Sequence, residues 1–190
     1  SDFADRGADR IRLGTYWGGL AMFPSDVSPR VSALKSGVNP LAEAMATVRA
    51  RGMHMMAYIN PNAYRKQNPL YETSSIRKTD GAIWDIKAYG IKDTHYACSN
   101  HPDFIDFYHK AIAELVTAYD VDGIYIDGLS PHVCYCKHCQ DKFVRDTGRD
   151  LPDGLEALGP QGVLWEMTSD WKPIGDPADP DRQLYSRWLM

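Results

Sequence analysis

The chain has 190 residues, and 21 Lys+Arg against 25 Asp+Glu give a formal net charge of -4. This length suits one domain with a real core, or part of a larger one. The apolar fraction of 44% and charged fraction of 24% exclude a disordered, collagen-like or disulfide-dense chain; no basic stripe points to nucleic acid, and no apolar run reaches the roughly 18 residues of a membrane helix.

The elements read in order as strand, helix, strand, helix, strand, helix. Arg10–Trp17 (RIRLGTYW) has the β-branched and aromatic content of a strand and runs into Gly18-Gly19. Asn39-Pro40 opens a helix, with Asn as the cap and Pro in the first helical position. It continues to about Arg51 with Leu41, Met45 and Val48 on one side, and Gly52 ends it. Met53–Asn60 reads as a buried strand stopped by Pro61. Residues 61–100 form a long loop insertion, of a length that often carries function.

A helix from about Pro102 to Tyr119 places Phe104, Tyr108, Ala111, Leu115 and Tyr119 on one face. Asp120–Asp122 then turn the chain into the short strand Gly123–Asp127. Residues 128–150 hold a loop and a helix, the stretch after Leu151 is mostly loop, and Asp179-Pro180 start a last helix. The chain opens on Ser1 and stops at Met190 within that helix, so both ends are expected to be cuts through a longer product. Strand–helix–strand alternation predicts an α/β fold of parallel βαβ units, one domain over residues 1–190.

The four cysteines fall into one pattern: Cys98, then Cys134, Cys136 and Cys139 in the run CYCKHC. Tetrahedral zinc takes four soft ligands, and closely spaced thiolates with one distant partner supply them. Zinc, disulfides and unrelated thiols all remain open on spacing alone. With four thiolates and no open position, the zinc would be structural. His95, His101, His132 and His138 flank the cysteines, as replacement ligands or as solvated loop histidines. With His95 or His132 as a ligand and one cysteine uninvolved, an open zinc of a different hydrolase would result.

Asp127 ends the strand GIYID. Alternation puts Gly123, Tyr125 and Asp127 on one face and Ile124 and Ile126 on the other. A carboxylate at a strand's C-terminal end, facing the middle of a sheet or barrel, stands where (β/α)8 enzymes do their chemistry. Beside aromatics it suits glycoside hydrolysis, which needs two carboxylates around one bond. Equally, Asp127-Gly128 is a common turn pair. Tyr58 and Asn60 end the preceding strand, and Tyr16 and Trp17 the one before. Together they would form a sugar platform of phenol, amide and indole, with His132 as a further substrate-binding candidate. Each is also an ordinary core residue in many folds.

The run from Cys98 to Pro152, with its cysteine, helix, Asp-Gly-x-x-x-Asp and Cys-Tyr-Cys-x-x-Cys, resembles the hypothetical glycosyl hydrolases related to α-L-fucosidases. The upstream helix after Asn39-Pro40 and the run RGMHMMAYIN are similar to the same group, so the resemblance covers most of Arg10–Pro152. It implies a (β/α)8 TIM-barrel glycosidase, of which this chain would be about strands two to four. The cysteines are also similar to those of family 42 β-galactosidases, which implies a structural zinc on Cys98, Cys134, Cys136 and Cys139. Those enzymes have an Asn-Glu pair where this chain has Ile126-Asp127. The fucosidases have a nucleophilic Asp at such a strand end, so the resemblance favours Asp127 as nucleophile of a retaining O-glycosidase.

The alternative is a non-catalytic carbohydrate-binding or structural barrel relative. A second acid on a later strand would separate the two. A carbohydrate is the expected partner, with no nucleic acid or membrane. Compartment and oligomeric state are open.

Overall fold

The computed structural model describes residues 3–85, 88–129, 132–158, 176 and 178–189. The strands are β1 (Arg10–Trp17), β2 (Leu20–Ala21), β3 (His54–Asn60), β4 (Ala63–Arg65), β5 (Thr94–Tyr96) and β6 (Gly123–Ile126). The helices are α1 (Pro40–Arg49), α2 (Leu70–Thr73), α3 (Pro102–Ala118), α4 (Lys137–Thr147) and α5 (Pro180–Leu189). The main sheet has the order β2-β1-β3-β6. β3 pairs in parallel with β1 and with β6, bringing Tyr58 opposite Tyr125. This is a mixed α/β fold around a parallel sheet. Among the described residues the sheet stays open and does not close into a barrel, with β6 at one edge and β2 at the other.

Local chemistry explains the elements. The Asn39 side chain accepts the Ala42 N–H at 3.1 Å, and Pro40 takes the first helical position. Leu41, Met45 and Val48 of α1 and Phe104, Phe107, Tyr108, Ala111 and Leu115 of α3 pack in one core with Met55, Ala57 and Ile59 of β3. The opposite sheet face carries Arg12 and Tyr125, both exposed. Entry into β6 is pinned to β3: the Asp122 carboxylate accepts the Met55 N–H at 2.7 Å and faces His54 at 3.1 Å. Asp120, in the left-handed region at φ 52°, pairs with Arg49. Both aspartates belong to the turn, as their place in the sequence predicts.

Three features differ from the sequence expectation. Gly18-Gly19 do more than end β1. Both have positive φ (59° and 69°) and form a two-residue turn into β2, where Trp17 pairs with Leu20. Next, the register of β1 against β3 slips between Gly14 and Tyr16, leaving Thr15 as an extra residue. Its hydroxyl donates to the Tyr58 carbonyl at 2.8 Å. Finally, the 61–100 segment contains β4 paired antiparallel with β5, and the short helix α2. Elements of three or four residues are too short to show a period in sequence.

A second core surrounds the cysteines and includes Ile76, Trp84, Val133, Tyr135, Phe143 and Tyr185. Asp146 of α4 accepts from Lys142 and from the Trp188 indole of α5, at 2.8 and 2.9 Å. A short 3-10 turn covers Asp153–Leu158. Most of the loop expected after Leu151 lies outside the described residues.

Candidate functional site at the strand ends

Parallel pairing sets neighbouring strand ends side by side. Tyr16 registers with Ile59, and Trp17 with Asn60. Beyond Ile126, Asp127 continues the ladder by donating its N–H to the Ile59 carbonyl at 3.0 Å. Trp17, Tyr58, Asn60, Tyr125 and Asp127 therefore share the face opposite the helices.

Their side chains are connected. The Tyr58 hydroxyl donates to Asp127 Oδ2 at 2.9 Å, and the Asn60 amide donates to the Tyr58 hydroxyl at 3.4 Å. Tyr58 and Tyr125 stack at 5.9 Å with their planes 16° apart. The Arg12 guanidinium covers both rings, at 5.4 and 4.5 Å. Asp127 is solvent-exposed and its carboxylate is oriented by a phenol. Gly128 follows at φ 72°, so the turn reading of Asp-Gly holds alongside the placement at the strand end. An oriented carboxylate, an amide and aromatic faces can bind a hydroxyl-rich ligand.

Tyr16 and His132 do not join this group. Tyr16 is fully buried and points to the helix side, where its hydroxyl donates to Glu114 of α3. Ser25 and the Asp26 N–H bind the same carboxylate, so Glu114 anchors the loop after β2. The extra residue Thr15 is the physical reason: after it, Tyr16 falls on the core face and Trp17 on the open one. His132 is buried, 4.4 Å from the Tyr96 ring, with Nε2 2.8 Å from Asn62 Oδ1. His95 is buried too, stacked on Tyr71 at 4.1 Å. Neither is a solvated loop histidine.

The four cysteines do converge. Their sulfurs all lie within 4.8 Å of one another, with Cys98 3.7 Å from Cys136 and 3.5 Å from Cys139. Tetrahedral zinc with bonds of about 2.3 Å separates its sulfurs by about 3.8 Å, so the donor set fits such an ion. The Arg77 N–H points at Cys134 and the Asn100 amide at Cys139, each at 3.4 Å, as suits thiolates. Hydrogen bonds from Cys134 and its neighbours push the Cys136 thiol far down. The same cluster pushes Cys98 and Cys139 up, because four adjacent thiols cannot all ionise without a cation. Cys98 precedes α3 and Cys136 starts α4, so sequence-distant loops meet here.

Residues 20–143 match the family described as "Domain of unknown function (DUF6259)". The chain belongs to that family. No curated protein matches it. Among solved structures, it is similar to the α-L-fucosidase isoenzyme 2 from Paenibacillus thiaminolyticus, with a TM-score of 0.59 at 22% identity, covering 75% of this chain and 21% of that one. It is also similar to the polyextremophilic β-galactosidase from Halorubrum lacusprofundi, with a TM-score of 0.51 at 19% identity, covering 98% of this chain and 29% of that one. The chain thus spans under a third of the length of these proteins and has a glycosidase-like fold.

Two cations of the open face escape the sequence reading. Arg12 is legible in retrospect, because RIRL alternates and places Arg12 opposite Ile11 and Leu13. Arg65, whose guanidinium lies 5.1 Å from the Trp17 ring, has no such signal.

Proposed function

We propose that this chain is a piece of a retaining O-glycoside hydrolase built on a (β/α)8 barrel, contributing about strands two to four. The observation that carries the reading is Asp127 at the C-terminal end of a parallel strand, oriented by Tyr58 on the face away from the helices. The glycosidase-like fold supports it. Asp127 is the catalytic carboxylate, in the nucleophile's role. Trp17, Tyr58 and Asn60 form the sugar-facing surface. A second carboxylate, about 5–5.5 Å from the first, comes from outside the described residues and protonates the leaving oxygen.

Cys98, Cys134, Cys136 and Cys139 hold a structural zinc. The ion would fasten the start of α3 to the start of α4 and leave no position for substrate. The likeness of the cysteine spacing to family 42 β-galactosidases agrees with this role.

The test is Asp127→Asn in the full-length protein, assayed on a panel of aryl glycosides. Turnover is expected to fall about a thousandfold or more while melting temperature and metal content hold. Unchanged turnover in this variant removes Asp127 from the mechanism. Sugar binding by the wild type without any turnover assigns the chain to a non-catalytic barrel relative.

A further inference from the structure

Arg65 occupies a built position beside the open face. Its backbone N–H donates to the Gly18 carbonyl at 2.7 Å, which ties β4 to the turn between β1 and β2. Gly18 has φ 59°, and a Cβ there would lie 2.6 Å from Arg65 Cγ. The arginine stem thus lies directly on bare glycine backbone. That contact delivers the guanidinium over the Trp17 ring, at 5.1 Å.

Arg65 is half-buried, and among the described residues it makes no ion pair. Its positive charge rests on an aromatic face and is not neutralised by a carboxylate. Arg12, the other cation of this face, likewise lies over aromatic rings. The acid of this face, Asp127, lies across β3 from Arg65 and accepts from the Tyr58 hydroxyl. Arg12 and Arg65 thus set two guanidiniums on this face against the one carboxylate of Asp127. Trp17 and Asp127 end strands that flank β3, about 10 Å apart at ordinary strand spacing. A sugar ring fits between them, with one end at Asp127 and a substituent at Arg65. A guanidinium offers a planar fork of N–H donors that matches a carboxylate or a sulfate.

We propose that Arg65 is a specificity-determining residue that recognises an anionic substituent, a carboxylate or a sulfate, on the sugar. This rests on the glycoside reading above and narrows its substrate class.

The test is ligand-observed NMR titration of the full-length protein with glucuronate against glucose, galacturonate against galactose, and galactose 6-sulfate as a third arm. The charged member of a pair should bind at least about fivefold tighter, and added salt should reduce the difference. Preference for the uronates identifies a carboxylate substrate, and preference for the sulfate ester a sulfated one. Arg65→Gln should abolish the preference, and Arg65→Lys, which keeps charge without the fork, should restore part of it. Circular dichroism confirms that both variants fold. Asp127→Asn should keep the preference, because Arg65 meets the substituent and not the reacting bond.

Equal affinity for charged and neutral sugars overturns the proposal and leaves the glycoside reading standing. A preference that survives Arg65→Gln overturns it as well. Failure of the wild type to bind any of these sugars removes both.

Discussion

The Tyr58 hydroxyl and the Asp127 carboxylate, 2.9 Å apart, join two neighbouring parallel strands through their side chains at the open end of the sheet. Removing the donor tests whether that contact orients a reacting group. In the full-length protein, Tyr58→Phe should lower kcat/KM for glycosides about tenfold, the worth of one hydrogen bond of about 1–1.5 kcal/mol. The melting temperature should change little, because the ring still stacks on Tyr125. Unchanged kcat/KM would reduce the contact to a structural one.

Metal content is the direct check on the cysteines. One zinc per chain, with four thiols titrating after denaturation, is the expected result. Prolonged chelation or Cys136→Ser should remove the ion and lower the melting temperature by about ten degrees or more, because binding free energy is folding free energy at such a site. Full stability of a metal-free sample would exclude a structural metal.

Gly19 gives a stability test independent of function. It sits at φ 69°, and a Cβ there would lie 2.6 Å from Tyr64 and 2.7 Å from the Asn68 amide, which itself binds the Gly19 carbonyl at 2.5 Å. Gly19→Ala should cost about 2–4 kcal/mol by urea denaturation, combining left-handed strain with overpacking. Gly37, at φ 78° with nothing nearby, isolates the strain alone. Gly37→Ala should cost only about 1 kcal/mol. Equal costs at the two positions would show that the crowding at Gly19 relaxes freely.

Docking of α5 on α4 should depend on acid. The Lys142 ammonium and then the Trp188 indole hold the Asp146 carboxyl down, to about 2 from its ordinary 3.8. A group whose folded pKa is depressed stabilises fully above its unfolded value and loses that contribution as pH falls through the folded one. The Trp188 indole N–H resonance should therefore stay in place above about pH 4 and move as pH drops towards 2. Asp146→Asn should flatten that response. An unshifted resonance down to pH 2 would show that the contact does not hold the helix.

Much of the frame was legible from residue patterns. Asn39-Pro40, the apolar side of α3 and the run RIRLGTYW each carry a local cause that survives folding: a cap, a period and β-branching. The convergence of the cysteines was legible as one of three readings left open by the spacing in CYCKHC, and it is the fold that brings the distant Cys98 to the other three. What the residues could not show depends on pairing across strands. Tyr16 and Trp17 look equivalent in sequence, yet one is buried against Glu114 and the other faces the open side. Arg65 reaches Trp17 only because β4 and the Gly18-Gly19 turn lie side by side, a relationship between residues more than forty positions apart. The burial of His95 and His132 follows from the β4–β5 pair, which is too short to leave a pattern.

The single unpaired residue in β1 has a wider effect than its size implies. Thr15 acts as a phase shifter: upstream of it odd positions face the helices, and downstream even ones do. Drawn into the ladder as an ordinary strand residue, it would exchange the two aromatics that follow, turning the Tyr16 phenol to the open face and the Trp17 indole towards Glu114. One inserted residue thus decides which of two adjacent aromatics is locked into the scaffold and which lies on the open side of the sheet.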